Sequence, residues 1–320
     1  MKKANRLISF SLIALFLLTS CTTRTLPSQD SELEGTITIS GAFALYPLMT
    51  VWSQEFQQIH PEVQFDISAG GAGKGMTDTL AGAVDIGMIS RPITLQEEEK
   101  GAFWVAVAKD AVFPVVNVNN PVFDELMQKG ISQAIFVSIF ITGEVTTWGE
   151  VVGDPTISDE IHVFTRSDAC GAGDVWAKFL GNRTQDEIQG VGVNGDPGEL
   201  DAVLNDALGI GYNNLGYVFD LTSGKLVDGI SVIPIDINAN DSADVDEIAG
   251  SLSQAFELIS KEKYPSPPAR LEFLATKGKP SGLTQAFIEW ILTDGQTYVG
   301  TAGYVPLTSV QLEEFLTKVK

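Results

Sequence analysis

The sequence predicts an α/β protein of two lobes, each built on a parallel or mixed sheet with flanking helices. Three observations carry that expectation. Alternating and amphipathic runs take turns along the early chain, which is the sign of a parallel sheet covered by helices. Two turn-rich stretches, 117–121 and 264–268, interrupt the alternation and read as crossovers between lobes. Three glycine-bearing turns, at 40–44, 69–75 and 166–173, each follow a strand-like run and precede a helix-like one.

Residues 36–40 alternate as a strand does. Leu45, Leu48, Met49, Trp52, Phe56 and Ile59 then share one helical face, which Pro61 ends. A strand is expected at 63–68, a short helix at 76–83 and a buried strand at 85–89. Further strands are expected at 105–108 and 111–116. Beyond the first crossover, 131–142 holds a helix, and 161–164 is a strand ending near Arg166. Val175, Phe179 and Leu180 stripe the next helix, and 198–208 is another, followed by a strand at 209–212. Residues 217–219, 225–227 and 231–235 read as a strand meander, and 248–259 as a helix. After the second crossover come a strand at 270–275 and helices at 283–292 and 310–319. The lobes so defined are 35–116 with 265–320, and 117–264.

A turn from a strand into a helix gathers backbone N–H groups at the positive end of a helix dipole, where an anion is stabilised. Three such turns suggest one anion-sized ligand between converging helix starts, two turns in the first lobe and one in the second. The candidate residues are Gly41, Ala42 and Ala44; Ala72, Gly73 and Lys74; Arg91; and Arg166, Asp168, Cys170, Gly171 and Ala172. The 69–75 turn is no Walker motif, because Ser68 stands at the first glycine and Gly75 follows Lys74. It lacks the third glycine of a dinucleotide fingerprint, since Met76 stands there.

Composition narrows the function. The net charge of −21 offers no basic stripe for nucleic acid. It also repels anions at long range, so an anion site here works by local geometry. The two cysteines and two histidines suit neither a disulfide framework, a thiolate metal cluster nor a histidine triad. His60 and His162 read as structural, Trp104 and Trp148 as core, and Cys170 as a buried inert thiol. No metal, cofactor or catalysis is expected, and Asp236, Asp241, Asp244 and Asp246 read as a solvated polar loop. Lys2, Lys3, Arg6 and the apolar run 7–18 form a cleaved leader spanning residues 1–20. Leu18-Thr19-Ser20-Cys21 resembles a lipoprotein cleavage box, with Cys21 the lipidated residue and 21–34 a tether to the membrane.

Longer segments resemble the phosphate-binding component of bacterial phosphate ABC importers, within the type II periplasmic binding proteins. They are residues 82–93, "GAVDIGMISRPI"; Ala108-Lys109-Asp110 followed by Asn117 and Asn120-Pro121; Thr142-Gly143 with Trp148; Gly209-Ile210-Gly211-Tyr212; and Gly295-Gln296 with 303–307, "GYVPL". Each is weak alone, but their order spans most of the chain. The resemblance implies two lobes on hinge strands closing over phosphate, a membrane permease as partner, a monomer, and a place in the periplasm or on the outer cell surface.

The family supplies hydroxyls from its three turns, backbone amides and one arginine. At the matching positions this chain has Ala42 and Ala44, Ala72, and Cys170-Gly171-Ala172, while Arg166 and Asp168 keep the family residues. A hydrogen bond to a charged group contributes about 1.5–3 kcal/mol, so losing four or five hydroxyls costs on the order of 10⁴-fold in affinity. Three readings stay open: a larger or different oxyanion, phosphate held by amides and cations, or a sensor or surface module.

Overall fold

A computed structural model describes residues 33–320. The leader, Cys21 and most of the tether lie outside the described residues.

The chain enters along β1 (Gly35–Gly41) and turns into α1 (Tyr46–Ile59), whose Leu48, Met49, Trp52 and Phe56 are buried on one face. β2 (Val63–Ala69) leads into α2 (Ala72–Ala81), which ends on left-handed Gly82, and β3 (Ile86–Ile89) follows. The helix after β2 therefore begins at Ala72, inside the glycine turn and not at Met76. β1 pairs in parallel with both β2 and β3. Gly41, at φ +136°, lets β1 pass β3: a Cβ there would stand 2.2 Å from the Met88 carbonyl oxygen.

β4 (Ala102–Asn117) is one unbroken strand where sequence suggested two. Lys109-Asp110 looked like an interruption, yet the backbone stays paired through it. Lys109 exchanges hydrogen bonds with Val305, and Asp110 is buried against Arg270. The short β5 (Ile131–Ser132) is followed by β6 (His162–Arg166), α3 (Gly171–Phe179), β7 (Val191–Val193) and α4 (Gly195–Leu204). β8 (Gly209–Asn214), β9 (Ile230–Val232), β10 (Ile235–Asp236), α5 (Leu252–Ser260), β11 (Ala269–Lys277), α6 (Gly282–Ile291) and α7 (Ser309–Val319) complete the chain.

The strands form a curled sheet in the order β2-β1-β3-β11-β4-β8-β6-β7, with β9 also on β4, and a separate parallel pair β10-β5. The expected meander does not form. Residues 215–218 are a helical turn, Phe219 and Leu226 share one bridge, and β9 and β10 pair with β4 and β5 instead. Tertiary pairing overrode a local pattern of short apolar runs.

Apolar side chains gather in two clusters. One collects Ile37 to Ala108 and Phe273 to Val319; the other collects Ala111 to Tyr264, with Val305. β4 runs through both, because helices cover it on each face and nearly every residue can be apolar.

Candidate anion site at three helix starts

The three glycine turns meet. The N–H groups of Gly70 and Gly71 both donate to the Gly41 carbonyl, at 2.9 and 3.0 Å, joining the first turn to the second. The N–H of Gly73 donates to the Ala169 carbonyl at 3.2 Å, joining the second to the third. Glycine is what permits this approach. A Cβ on Gly71 would lie 2.5 Å from that carbonyl oxygen, and one on Gly171 would lie 2.1 Å from Ser90 Oγ. Ala42, Ala44, Ala72, Cys170 and Ala172 are all buried beside these contacts.

Arg166 ends β6 with a fully buried side chain. Its Nε and Nη2 donate to the two oxygens of Asp168 at 2.9 and 2.7 Å, a two-pronged fork between the two family residues. Asp168 also accepts from the N–H of Gly195 at the start of α4, at 3.0 Å. On the other side, Nη1 lies 3.0 Å from Asp196 Oδ2, and the guanidinium stacks over Phe43 at 5.5 Å. Burial opposes the arginine's charge, but Asp196 and Asp168 outweigh it and raise its pKa. Burial likewise pushes Asp196 up, against the pull of Arg166. Nη1 and Asp196 Oδ2 are close without an aligned hydrogen bond, so the guanidinium keeps a donor in hand.

Cys170 caps α3: its Sγ accepts from the N–H of Gly173 at 3.2 Å, and burial pushes its thiol pKa far up. It is no thiolate nucleophile. Gln185 fastens the third turn, taking the Cys170 N–H on its oxygen and giving its amide to the Asp168 carbonyl at 2.6 Å.

Two expected cations are engaged elsewhere. Lys74 pairs with Asp78 one helical turn on and is half exposed. Arg91 is forked onto Glu97 at 2.7 and 3.0 Å, and its Nε lies 3.2 Å from Asp174 on α3. It therefore links the segment after β3 to α3.

Sequence reasoning missed Asp196, Phe43, Gln185 and Ser90. Asp196 and Gly195 fall in the first turn of a helix that was expected to start at Gly198. The run Gly195-Asp196-Pro197-Gly198 carries a glycine, an acid and an N-terminal proline, a helix-start signature that could have found them.

Asp196 also links the site to a second buried charge cluster. Its Oδ1 accepts from Asn214, whose own oxygen accepts from Arg270. Arg270 on β11 donates to Asp110 on β4 and to Glu272, each at 2.9 Å. Burial, opposed by Arg270, pushes the Glu272 carboxyl up to about 8.

The profile of the PBP superfamily domain matches residues 26–295. The phosphate-binding protein PstS of Bacillus subtilis is 24% identical over 286 residues, covering 88% of this chain and 84% of its own. A substrate-binding protein of Clostridium perfringens, described as a phosphate ABC transporter component and crystallised with phosphate, superposes with a TM-score of 0.68. It is 22% identical and covers 86% of this chain and 100% of its own. An ABC-type phosphate transport receptor of Vibrio cholerae gives a TM-score of 0.62 at 20% identity, covering 85% and 100%. The type II periplasmic binding protein fold is thereby established for this chain.

Proposed function

The chain belongs to the PBP superfamily domain family, and from that premise we propose that it is the extracytoplasmic solute-binding component of an ABC importer. It captures phosphate or a related oxyanion between its two apolar clusters. The observation that carries this reading is Arg166: a buried guanidinium, oriented by Asp168, with a donor left over at the meeting point of three helix starts. The relatives' names point to the same ligand class. Binding rather than turnover fits the site, because the thiol is buried and the carboxylates are committed to arginines.

Two lobes move in this reading, close to the division 35–116 with 265–320 and 117–264 but with 111–116 packed into the second cluster and not the first. We place the pivot of β4 at residues 109–111, since Val112, Phe113, Val115 and Val116 pack into the second cluster. Ligand entry parts the Gly73–Ala169 hydrogen bond and the Arg91–Asp174 pair. The freed N–H of Gly73 and the spare Arg166 donor then turn to the anion. Anchoring through Cys21, a permease partner, a monomeric state and a position in the periplasm or on the outer cell surface complete the proposal.

Replacement of the turn hydroxyls favours modest phosphate affinity or a related oxyanion of different shape. Calorimetry of residues 22–320 against phosphate, arsenate, sulfate and larger oxyanions tests this. Saturable binding of at least one is expected. Restoring hydroxyls with Ala44→Thr, Ala72→Ser, Cys170→Ser and Ala172→Thr should tighten phosphate by about tenfold or more. Absence of binding across the whole panel would reject the transport reading.

A further inference from the structure

Arg166 sits where the three turns meet, and two carboxylates already face it. Its Nε and Nη2 are taken by Asp168, and its Nη1 lies 3.0 Å from Asp196 Oδ2. Arg166 and Asp196 are only 5% and 1% exposed. Phe43 covers one face of the guanidinium. Its ring is wedged against Gly195, where a Cβ would lie 3.2 Å from Phe43 Cζ, and Tyr217 donates its hydroxyl to the Phe43 carbonyl at 3.2 Å. The nitrogen left for a ligand is therefore Nη1, the one beside Asp196.

The same two atoms lack partners of their own. Asp196 Oδ1 accepts from Asn214, but Asp196 Oδ2 and Arg166 Nη1 are buried without an aligned hydrogen bond. Buried Asp236 gives the contrast. The N–H groups of Asn240 and Asp241 satisfy its two oxygens at 3.1 and 3.0 Å, which corrects the sequence reading of that residue as solvated and leaves it asking for no partner. Among the described residues around the site, no second cation is left to balance Asp196. Arg270, reached through Asn214, serves Asp110 and Glu272; Lys74 is held by Asp78, and Arg91 by Glu97 and Asp174. The remaining titratable groups around the guanidinium are Glu199, Cys170, Tyr212 and Tyr217. Burial pushes each toward its neutral form.

An anion on Nη1 stands within reach of the Asp196 charge, in a setting too dry to screen it. Each further charge on the anion adds that repulsion again. The hydroxyls that would replace the anion's hydration are missing at Ala42, Ala44, Ala72 and Ala172. We propose that Asp196 determines the charge of the ligand: beside the spare Arg166 donor it selects a singly charged oxyanion, such as dihydrogen phosphate or a sulfonate, over a doubly charged one. The inference rests on the oxyanion-capture reading above and names its substrate class.

Perchlorate, methanesulfonate and sulfate are tetrahedral oxyanions; near neutral pH the first two carry one charge and the last carries two. In calorimetry at constant ionic strength, at least one of the singly charged pair should bind the wild type at least about tenfold more tightly than sulfate. Asp196→Asn removes the charge and keeps an oxygen to accept from Asn214. It should narrow the gap by at least about tenfold, chiefly by tightening sulfate. Asp186→Asn removes the same charge from an exposed position and should leave the gap within about twofold of wild type. Should the Asp196 variant not fold, the wild-type gap alone decides. Sulfate bound as tightly as both singly charged ions overturns the inference and leaves oxyanion capture standing. An unchanged gap in Asp196→Asn, or an equal change in Asp186→Asn, overturns it as well. No binding of any of the three, nor of phosphate, rejects the capture reading and the inference together.

Discussion

Arg166 and Arg270 are both buried, each faces two carboxylates, and a relay through Asp196 and Asn214 joins them. Their settings differ. Arg270 is gripped within the sheet: Asp110 and Glu272 project from adjacent strands, and both pairs are aligned hydrogen bonds. Arg166 is held at a strand end by a turn residue, Asp168, and by Asp196 in the first turn of α4; in each arginine Nη1 is left without an aligned partner, so what differs is the backbone setting. The same ingredients thus make a structural rivet where the backbone is paired on both sides, and a receptive group where it turns.

If that contrast holds, truncating the rivet costs most. Arg270→Met should destabilise the protein by about 3–5 kcal/mol, because Asp110 loses its cation and Glu272 its donor inside the sheet. Arg166→Met should cost less, since its partners can reach water when the lobes part. Urea unfolding of both variants decides, and equal losses would erase the distinction.

The rivet also titrates. The Glu272 carboxyl is raised from its ordinary value to about 8, so between about pH 4.5 and 8 the folded protein holds a proton there that the unfolded chain has released. Stability from this group therefore falls as pH rises through that window. Glu272→Gln should flatten the decline in melting temperature between pH 5 and 8, whereas an unchanged slope would show that the group stays ionised.

On the receptive side, Arg166→Lys keeps the charge but loses the fork. It should weaken oxyanion binding by more than about 1.5 kcal/mol while leaving the fold intact. Wild-type affinity in calorimetry would remove Arg166 from the ligand's reach. The smallest effect is expected at the rim. Asp174 is more than a third exposed, so Asp174→Asn should weaken closure by no more than about 1 kcal/mol, and less in high salt. A salt-independent effect would mean that the Arg91 bridge acts other than by charge.

The settings also explain what sequence could and could not disclose. The glycine turns were legible because helix starts after strands leave a local signature, and Arg166 with Asp168 stood two residues apart in one of them. Arg270 and its partners were not legible. Asp110 lies 160 residues earlier in the chain, and nothing local marks a charge that will be buried by strand pairing. The partners of Lys74 and Arg91 were not legible for a related reason: a nearby acid, Asp78 or Glu97, claimed each one, and sequence does not say which neighbour a long side chain will choose. The 215–235 segment failed because short apolar runs fit strands and buried turns equally well.

Finally, β11 lies between β3 and β4 in the sheet, although more than 150 residues of chain separate it from either. Until Ala269–Lys277 has been made, the inner edges of β3 and β4 have no mate, and the first cluster lacks Phe273 and Leu274. Early β-α units can form, but their sheet stays split, with open edges inviting other chains. Assembly of the N-terminal half thus waits on the last quarter of synthesis. A chain stopped before Ala269 should stick to its neighbours instead of folding as a smaller version of itself.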